Sequence, residues 1–388
     1  MPPSSRTGTD APKLLYLVTE DWYFWSHRLP MARAARAAGF AVGVATRVGA
    51  HGERIRAEGF ALHPLAWRRG RAGLWPALLA IREIGRVYRA ERPDLVHHVA
   101  LKSVILGSIA ARCAGIPVVV NALTGLGTVF SSPILRMRLL RTLLLPLLRR
   151  LLGHRTSHVL LQNDDDRALL IERRLARPER IRVVPGSGVD CRRFPALPPP
   201  AGRLVAALVG RMVWDKGVGE AVAAARLLRE RGVPLTIALV GSPDPENPRS
   251  IPEALLREWQ QAGLVEWWGQ REDMVEVWRQ AAIALLPSYR EGMPKALLEA
   301  AACARPLIAT DVPGCRSLVR PGSNGILVPP RDAVALADAL QLMAGDPELR
   351  RTMGAASRAL VAATHGEERI GAEIVAFYRT LLGRRPAG

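Results

Sequence analysis

The sequence has few cysteines, few aromatic residues and no long uninterrupted hydrophobic run. Its four cysteines in 388 residues form no C-x-x-C pair, which argues against a disulfide scaffold or a zinc site. The uncharged stretch at 113–135 is broken by prolines and glycines, so we expect no transmembrane helix, which needs about 20 apolar residues. The polar first residues lack a secretory signal, and we therefore expect a cytoplasmic protein.

Acidic residues are absent between Asp94 and Asp164, where eight lysines and arginines lie. Residues 1–195 carry 31 Lys and Arg against 14 Asp and Glu, a net charge of +17, whereas the remainder has a net charge of +2. This asymmetry predicts a polyanionic partner for the first half. Because aromatic residues make up only 5% and no zinc-finger spacing occurs, we expect a membrane surface and no nucleic acid.

The segment at 133–153, PILRMRLLRTLLLPLLRRLLG, predicts a helix that carries Pro146. At 100° per residue one side holds three arginines, and the opposite side holds five leucines: Arg138, Arg141, Arg149, and Leu139, Leu140, Leu143, Leu147, Leu151. Such a segment suits an anionic leaflet, and it predicts peripheral attachment to the cytoplasmic face of a membrane. The alternative is a core helix whose arginines are simply solvated.

Short apolar runs alternate with longer helical patterns in both halves of the chain. This β-α-β-α order predicts an α/β protein with two tandem doubly wound parallel sheets. Three consecutive prolines mark a linker. We therefore predict a first domain at 1–193, a linker at 194–202, a second domain at 203–366, and a helix at 367–388 that returns to the first domain. The G-x-G pairs lack a third glycine, which disfavours NAD or FAD binding.

The first candidate site is the segment SYREGMPKALLEAAACARP at 288–306. Glu291 follows a predicted strand, Gly292 and Met293 precede a helix that starts near Pro294, and Glu299 lies about one and a half turns into it. A helix N-terminus at this edge of a parallel sheet binds anions, and the flanking carboxylates suit sugar hydroxyls. Alternatively, Glu299 only pairs with Lys295, and Glu291 is a surface acid.

The second candidate site is LVGRMVWDKGV, at the first strand–helix turn of the second half. Gly210 and Arg211 follow the strand, and Lys216 comes five residues after Arg211. A guanidinium and an ammonium can neutralise a pyrophosphate leaving group without a metal. On its own, such a loop is commonly solvent-facing.

These two motifs, GR-x4-KG and E-x7-E on tandem Rossmann-like halves, resemble the retaining family-4 glycosyltransferases of GT-B fold, in which two such domains face a cleft. The resemblance extends over nearly the whole chain. WYFWSHRLPMARAARAAG and the segment HHVALKSVILGSIAARCAGIPVVVNALTGLGTVF resemble the subgroup that builds bacterial surface polysaccharides on polyprenyl-diphosphate carriers. The resemblance implies transfer of a hexose or N-acetylhexosamine from a nucleotide diphosphate sugar, most often a UDP-sugar, to a lipid-linked glycan.

The resemblance also implies a role for each matched residue. Arg211 and Lys216 would hold the pyrophosphate of the donor beside Gly210. The backbone N–H groups of Gly292 and Met293 would also contact it. Glu291 would contact the transferred sugar, and Glu299 the ribose. No metal ion or other cofactor is expected.

In the first half, the resemblance places His97 near the sugar and the leaving group. Strand alternation points His97 and His98 to opposite faces, so only one of them is expected at the cleft. His27, Arg28 and Lys102 are candidates for acceptor contacts. The alternative for this segment is a helix cap formed by Ser26. The preceding TEDWYFWSH is expected to be an aromatic loop that contacts sugar or lipid.

Two other functions are compatible with the same sequence. A sugar-nucleotide 2-epimerase of this fold binds a nucleotide sugar but has no acceptor, and it does not need a strongly basic half. A basic polyanion-binding protein without catalysis is the second alternative, and the presence of all four charged motif residues argues against it.

Overall fold

The computed structural model describes residues 11–67, 73–125 and 135–383, and the side chains at 135–141 and 143 lie outside this description. Contacts between residues divide the chain into two compact units. The first unit contains the chain up to Ser187 together with the residues from Ile370 onward, and the second contains Gly188–Arg369.

The first unit is built on a seven-stranded parallel sheet in the order β3-β2-β1-β4-β5-β6-β7. Its strands are β1 (Lys13–Glu20), β2 (Ala41–Arg47), β3 (Ala61–Pro64), β4 (Leu95–Val99), β5 (Val118–Ala122), β6 (Ser157–Leu161) and β7 (Ile181–Val183). Its helices are α1 (Asp21–His27), α2 (Leu29–Ala37), α3 (Gly52–Ala57), α4 (Leu74–Glu91), α5 (Ala100–Cys113), α6 (Leu135–Leu152) and α7 (Asp164–Glu172), and a 3-10 turn spans Pro178–Arg180. The central strands are buried on both faces, as expected for a sheet covered by helices.

The second unit is a six-stranded parallel sheet in the order β10-β9-β8-β11-β12-β13. Its strands are β8 (Leu204–Val209), β9 (Leu235–Val240), β10 (Glu266–Gly269), β11 (Ile283–Leu286), β12 (Leu307–Thr310) and β13 (Gly325–Val328). Its helices are α8 (Val218–Glu230), α9 (Glu253–Gln261), α10 (Met274–Gln280), α11 (Lys295–Ala302), α12 (Cys315–Leu318), α13 (Ala333–Gly345) and α14 (Pro347–Thr364). A 3-10 turn at Trp214–Lys216 precedes α8.

A last helix, α15 (Glu367–Gly383), leaves the second unit and contributes most of its length to the first. Ile370, Ile374, Tyr378 and Leu381 are buried in the same apolar cluster as residues of β1 and α2. Residues from the far end of the described chain therefore complete the core of the first unit.

Two local expectations about the segment after β1 are wrong. The predicted aromatic loop is the helix α1, because Phe24 is fully buried and packs edge-on against Tyr16, with ring centroids 5.7 Å apart. Ser26 lies in the last turn of α1 and is not a helix cap, since α2 begins after Arg28. The segment therefore contributes Phe24 to the core of the first unit.

The predicted basic helix is present as α6, with Pro146 inside it. Leu148, Leu151 and Leu152 are buried, and exposed Arg149 donates to the carbonyl oxygens of two residues after α7, Arg173 and Arg174. The part of the predicted arginine and leucine faces formed by Arg138, Arg141, Leu139, Leu140 and Leu143 lies outside the described side chains. The described half of α6 therefore packs against the first unit through its leucines.

Candidate active site

The sequence motifs of the second unit follow β8 and β11, which are neighbours in the sheet. From β8 the chain adds β9 and β10 on one side, whereas β11 leads to β12 and β13 on the other. The strand order therefore reverses between β8 and β11. Open parallel sheets bind ligands outside the carboxyl ends of their strands at such a point.

The loop after β8 is fixed by a glycine that cannot be replaced without a clash. Gly217 has φ 71°, and a Cβ placed on it would lie 2.0 Å from the carbonyl oxygen of Pro287. Glycine therefore allows the turn into α8 to lie directly against the loop that follows β11. This close approach brings the two motif loops together.

The contact that joins the two motifs is an ion pair. The Nζ of Lys216 lies 2.5 Å from the Oε1 of Glu291, and their side chains are only 23% and 12% exposed. The other motif cation, Arg211, forms an ion pair with Asp244. Asp244 was not among the predicted residues, because it lies in a loop after β9 with no recognisable spacing to the motifs.

Glu299 lies in α11 and is almost fully buried. Burial raises the pKa of its carboxyl, and the Nζ of Lys295 at 3.5 Å opposes this shift. The pairing with Lys295 that the sequence offered as an alternative is therefore present. Gly292 and Met293 are buried just before Pro294, which caps the helix and is not its first residue.

Tyr289 is a residue of this site that sequence reasoning missed. Its hydroxyl donates to the Oε1 of Glu220 at 2.6 Å, and its backbone N–H donates to the carbonyl oxygen of Asp215 at 2.9 Å. Burial and the neighbouring Glu220 raise the pKa of Tyr289 to about 12. Tyr289 therefore connects the loop after β11 to the loop after β8 and to α8.

In the first unit, His97 and His98 point to opposite faces of β4, as strand alternation predicts. The Nε2 of His98 lies 2.9 Å from the hydroxyl of Tyr88, and its Nδ1 lies 2.8 Å from the Oδ1 of Asn121. Burial lowers the pKa of His98 to about 4. His98 is thus a neutral, fully partnered residue of the core.

His97 is also fully buried, but within the described residues only one of its two ring nitrogens has a hydrogen-bond partner. Its Nδ1 lies 2.5 Å from the hydroxyl of Tyr378, which in turn is 3.0 Å from the hydroxyl of Tyr16. Burial, followed by the charge of Arg28, lowers the pKa of His97 well below its usual value. Within the described residues, its Nε2 has no hydrogen-bond partner. The ring is therefore neutral and held through one nitrogen.

The three predicted acceptor residues lie in different surroundings. Arg28 is 1% exposed, and its guanidinium donates to the carbonyl oxygen of His27 at 3.3 Å. No ion pair to Arg28 occurs among the residues that the structure describes. The ring of His27 stacks on Tyr23, with centroids 4.3 Å apart, and the Nζ of Lys102 lies 5.8 Å from the ring centre of Trp67. Arg28 is therefore a buried cation without a carboxylate partner in the described chain.

The described ranges contain neither a candidate metal cluster nor a helix that could span a membrane. Among residues 11–67, 73–125 and 135–383, no group of three or more His, Cys, Asp or Glu side chains is arranged to hold a metal ion. In the same ranges, no helix combines the length and the apolar character needed to cross a bilayer.

Both halves of the chain match family models of glycosyltransferases. Residues 203–346 match the family described as "Glycosyl transferases group 1", and residues 13–163 match the family described as "Glycosyl transferase 4-like". The first match spans β8–β13, and the second spans β1–β6 of the other sheet. The two family matches thus indicate a glycosyltransferase.

Two curated relatives are named as transferases that act on glycans carried on a lipid diphosphate. The chain is 25% identical over 280 residues to N,N'-diacetylbacillosaminyl-diphospho-undecaprenol alpha-1,3-N-acetylgalactosaminyltransferase of Campylobacter jejuni, covering 69% of this chain and 72% of that protein. It is 27% identical to the UDP-Gal:alpha-D-GlcNAc-diphosphoundecaprenol alpha-1,3-galactosyltransferase of Escherichia coli, covering 68% and 70%. Several other relatives match over about half of their length.

Solved structures of GT-B glycosyltransferases share the fold. Sucrose-phosphate synthase from Thermosynechococcus elongatus superposes with a TM-score of 0.80 at 22% identity, covering 96% of this chain and 99% of that one. HepE of Anabaena, solved with UDP-glucose, gives a TM-score of 0.75 at 18% identity, covering 95% and 99%. The expected GT-B fold is confirmed, and each half of the chain matches a glycosyltransferase family.

Proposed function

We propose that this protein transfers a hexose or N-acetylhexosamine from a UDP-sugar to a polyprenyl-diphosphate-linked glycan, with retention of the anomeric configuration. The names of the Campylobacter and Escherichia relatives support the lipid-linked acceptor, and the E. coli name and the HepE complex support a UDP-sugar donor. The product would be a longer lipid-linked glycan for a surface polysaccharide.

The observation that carries this proposal is the contact between Lys216 and Glu291 at the point where the strand order reverses. A cation suited to a diphosphate and a carboxylate suited to sugar hydroxyls meet there at 2.5 Å. A nucleotide diphosphate sugar carries both partners in neighbouring groups, the diphosphate and the sugar bonded to it. The pair is therefore placed to divide between them, with Lys216 on the diphosphate and Glu291 on the sugar.

The remaining donor contacts follow from the positions of the motif residues. Arg211 would move from Asp244 to the diphosphate, because a doubly charged phosphate group competes well for a guanidinium. Gly292 and Met293, just before α11, would offer backbone N–H groups to the same oxygens. Glu299 would accept hydrogen bonds from the ribose hydroxyls.

The first unit would hold the acceptor at the cytoplasmic face of the membrane. Its net positive charge suits anionic lipids and the diphosphate of the carrier. His27, Arg28 and Lys102 are the proposed acceptor contacts. Arg28 is the strongest of them, because a buried guanidinium without a carboxylate partner favours an anionic ligand.

The chemical step would exchange one bond at the anomeric carbon for another. The acceptor hydroxyl oxygen forms a bond to the anomeric carbon while the bond between that carbon and the β-phosphate oxygen breaks. The proton of the acceptor hydroxyl passes to the departing phosphate. UDP leaves with the bonding electrons, and Arg211 and Lys216 stabilise the added charge. The neutral ring of His97 would orient the sugar through Nε2. We propose that no metal is required, so EDTA is expected to leave the rate unchanged.

Thermal unfolding with a panel of nucleotides and nucleotide sugars, without metal, tests donor binding. At 100 times its Kd a ligand stabilises the folded protein by roughly 2.7 kcal/mol. UDP and one UDP-sugar are expected to raise the Tm of the wild type but not of Arg211→Ala. The matched control is Arg203→Ala, which removes an arginine paired with Glu266 away from the motif loops. Equal shifts in both variants would contradict the proposed site.

A sugar-nucleotide 2-epimerase is separated from a transferase by the need for an acceptor. An epimerase converts the UDP-sugar when no acceptor is present, whereas the proposed transferase releases UDP in proportion to added lipid-linked acceptor. Epimerised UDP-sugar in an acceptor-free reaction would therefore overturn the proposal.

A further inference from the structure

The N-terminal half of α4 carries an unusual cluster of exposed apolar side chains. Leu74, Trp75, Leu78 and Leu79 are 87%, 67%, 48% and 51% exposed. In the described residues, the other large exposed apolar side chains are isolated: Val48, Val334 and Leu342. Scattered exposed leucines are normal, but a contiguous apolar patch with a tryptophan is typical of an interaction surface.

The same face of α4 changes from apolar to basic along the helix. At 100° per residue, exposed Arg82, Arg86 and Arg89 fall within the arc covered by Leu74 and Leu79. The two acidic residues of α4 lie outside this arc. Glu83 at its edge accepts a hydrogen bond from the backbone N–H of Ala66, and Glu91 contacts Lys13.

The opposite face of α4 is fully used by the core of the first unit. Ala80, Ile84 and Tyr88 are buried in a cluster with residues of α5, including Leu106 and Ala110. Among the described residues of this unit, the exposed arc is therefore not a second packing face. We name it the α4 face, formed by Leu74, Trp75, Leu78, Leu79, Arg82, Arg86 and Arg89.

We propose that the α4 face docks on an anionic lipid surface, with the leucines and the tryptophan in the interface and the arginines at the phosphate headgroups. Tryptophan and leucine next to a row of arginines suit this boundary, since one end is apolar and the other is charged. A second copy of the chain fits less well, because pairing two such faces brings arginines against arginines or against leucines. This inference rests on the proposed function only for the reason why the protein would bind a membrane. It places the membrane contact on α4, whereas the sequence predicted it on α6.

Co-sedimentation with lipid vesicles tests the α4 face directly. Wild-type protein is expected to bind vesicles of phosphatidylglycerol and phosphatidylethanolamine, and to bind pure phosphatidylcholine vesicles weakly. The double variant Leu74→Ser/Trp75→Ser is expected to lower the partition coefficient about tenfold or more, because two large apolar side chains no longer enter the interface. The variant Arg82→Gln/Arg86→Gln/Arg89→Gln is expected to lower binding at low salt and to weaken its salt dependence.

The matched control is Val334→Ser/Leu342→Ser, which removes two exposed apolar side chains of the second unit. It is expected to bind vesicles as the wild type does. Wild-type binding in both α4 variants would overturn the proposal. So would a wild type that binds no vesicles but forms a dimer that Leu74→Ser/Trp75→Ser dissociates in sedimentation velocity. Loss of UDP binding in every protein with vesicle binding intact would count against the proposed function alone.

Discussion

Replacing Glu291 by glutamine is expected to separate UDP binding from sugar transfer. The carboxylate holds the Nζ of Lys216 at 2.5 Å, and a diphosphate must draw this ammonium away from it. The variant Glu291→Gln keeps the shape and an amide oxygen but removes the charge. UDP alone, which carries no transferred sugar, is therefore expected to bind as well as before or more tightly, while transfer from the UDP-sugar falls.

The magnitude follows from the burial of the pair. A hydrogen bond between charged groups contributes about 1.5–3 kcal/mol, and solvent screening is weak because both side chains are mostly buried. If about 1.4 kcal/mol of this is recovered on binding, the Kd for UDP decreases about tenfold. Loss of the charged contact to the sugar is expected to lower the transfer rate by roughly 100-fold, as for other single polar contacts made in a transition state.

Calorimetric titration with UDP and an initial-rate transfer assay measure the two effects. The control Glu266→Gln removes a different ion pair of the second unit, with Arg203, and is expected to change neither UDP affinity nor rate. A tenfold weaker affinity of Glu291→Gln for UDP, or an unchanged transfer rate, would refute the reasoning.

Three further outcomes are expected. Burial lowers the pKa of His98 to about 4, so below pH 6.5 the unfolded imidazole binds a proton that the folded one does not. The contribution of His98 to the free energy of unfolding is therefore fully present above pH 6.5 and falls by up to about 1.4 kcal/mol per pH unit as the pH drops towards about 4. In urea titrations at a series of pH values, the free energy of unfolding of His98→Asn should depend less steeply on pH. Gly217→Ala is expected to cost roughly 2–4 kcal/mol in chemical denaturation, against about 1 kcal/mol for Gly263→Ala, which has the same backbone conformation but open space; equal costs would contradict the close approach described. Tyr378→Phe removes the partner of His97 and is expected to slow transfer about tenfold with unchanged UDP affinity; an unchanged rate would assign His97 to packing alone.

The sheets and the meeting of the two motifs were predictable from the sequence. Strands rich in apolar residues alternate with amphipathic helices, and the carboxyl ends of parallel strands lie at one edge. Lys216 and Glu291 were therefore expected at the same edge from their positions after β8 and β11. Helices α13 and α14 were missed although Asp332 and Asp346, which cap them, were visible as signals.

The partners supplied by distant residues were not predictable. Tyr378 reaches His97 across 281 positions of sequence, and no local spacing indicates that pair. Asp244 pairs with Arg211 from a loop that has no pattern of its own. Tyr289 lies within the first motif, but Glu220, which accepts its hydrogen bond, is 69 positions away in the sequence. Which face of α4 remains exposed depends on where α5 packs. From the sequence alone, the leucines of α4 therefore could not be distinguished from those of a core helix.

The path of α15 has a consequence for how the protein is made. Residues 370–383 supply Ile370, Ile374, Tyr378 and Leu381 to the core of the first unit. All strands of that unit are synthesised earlier, before residue 188. During translation the second unit is therefore completely synthesised before the first unit can complete its core. A nascent chain would therefore expose the apolar surface that packs against this helix, beside Tyr16, until residues 370–383 leave the ribosome. Chaperones that act on emerging chains would bind there.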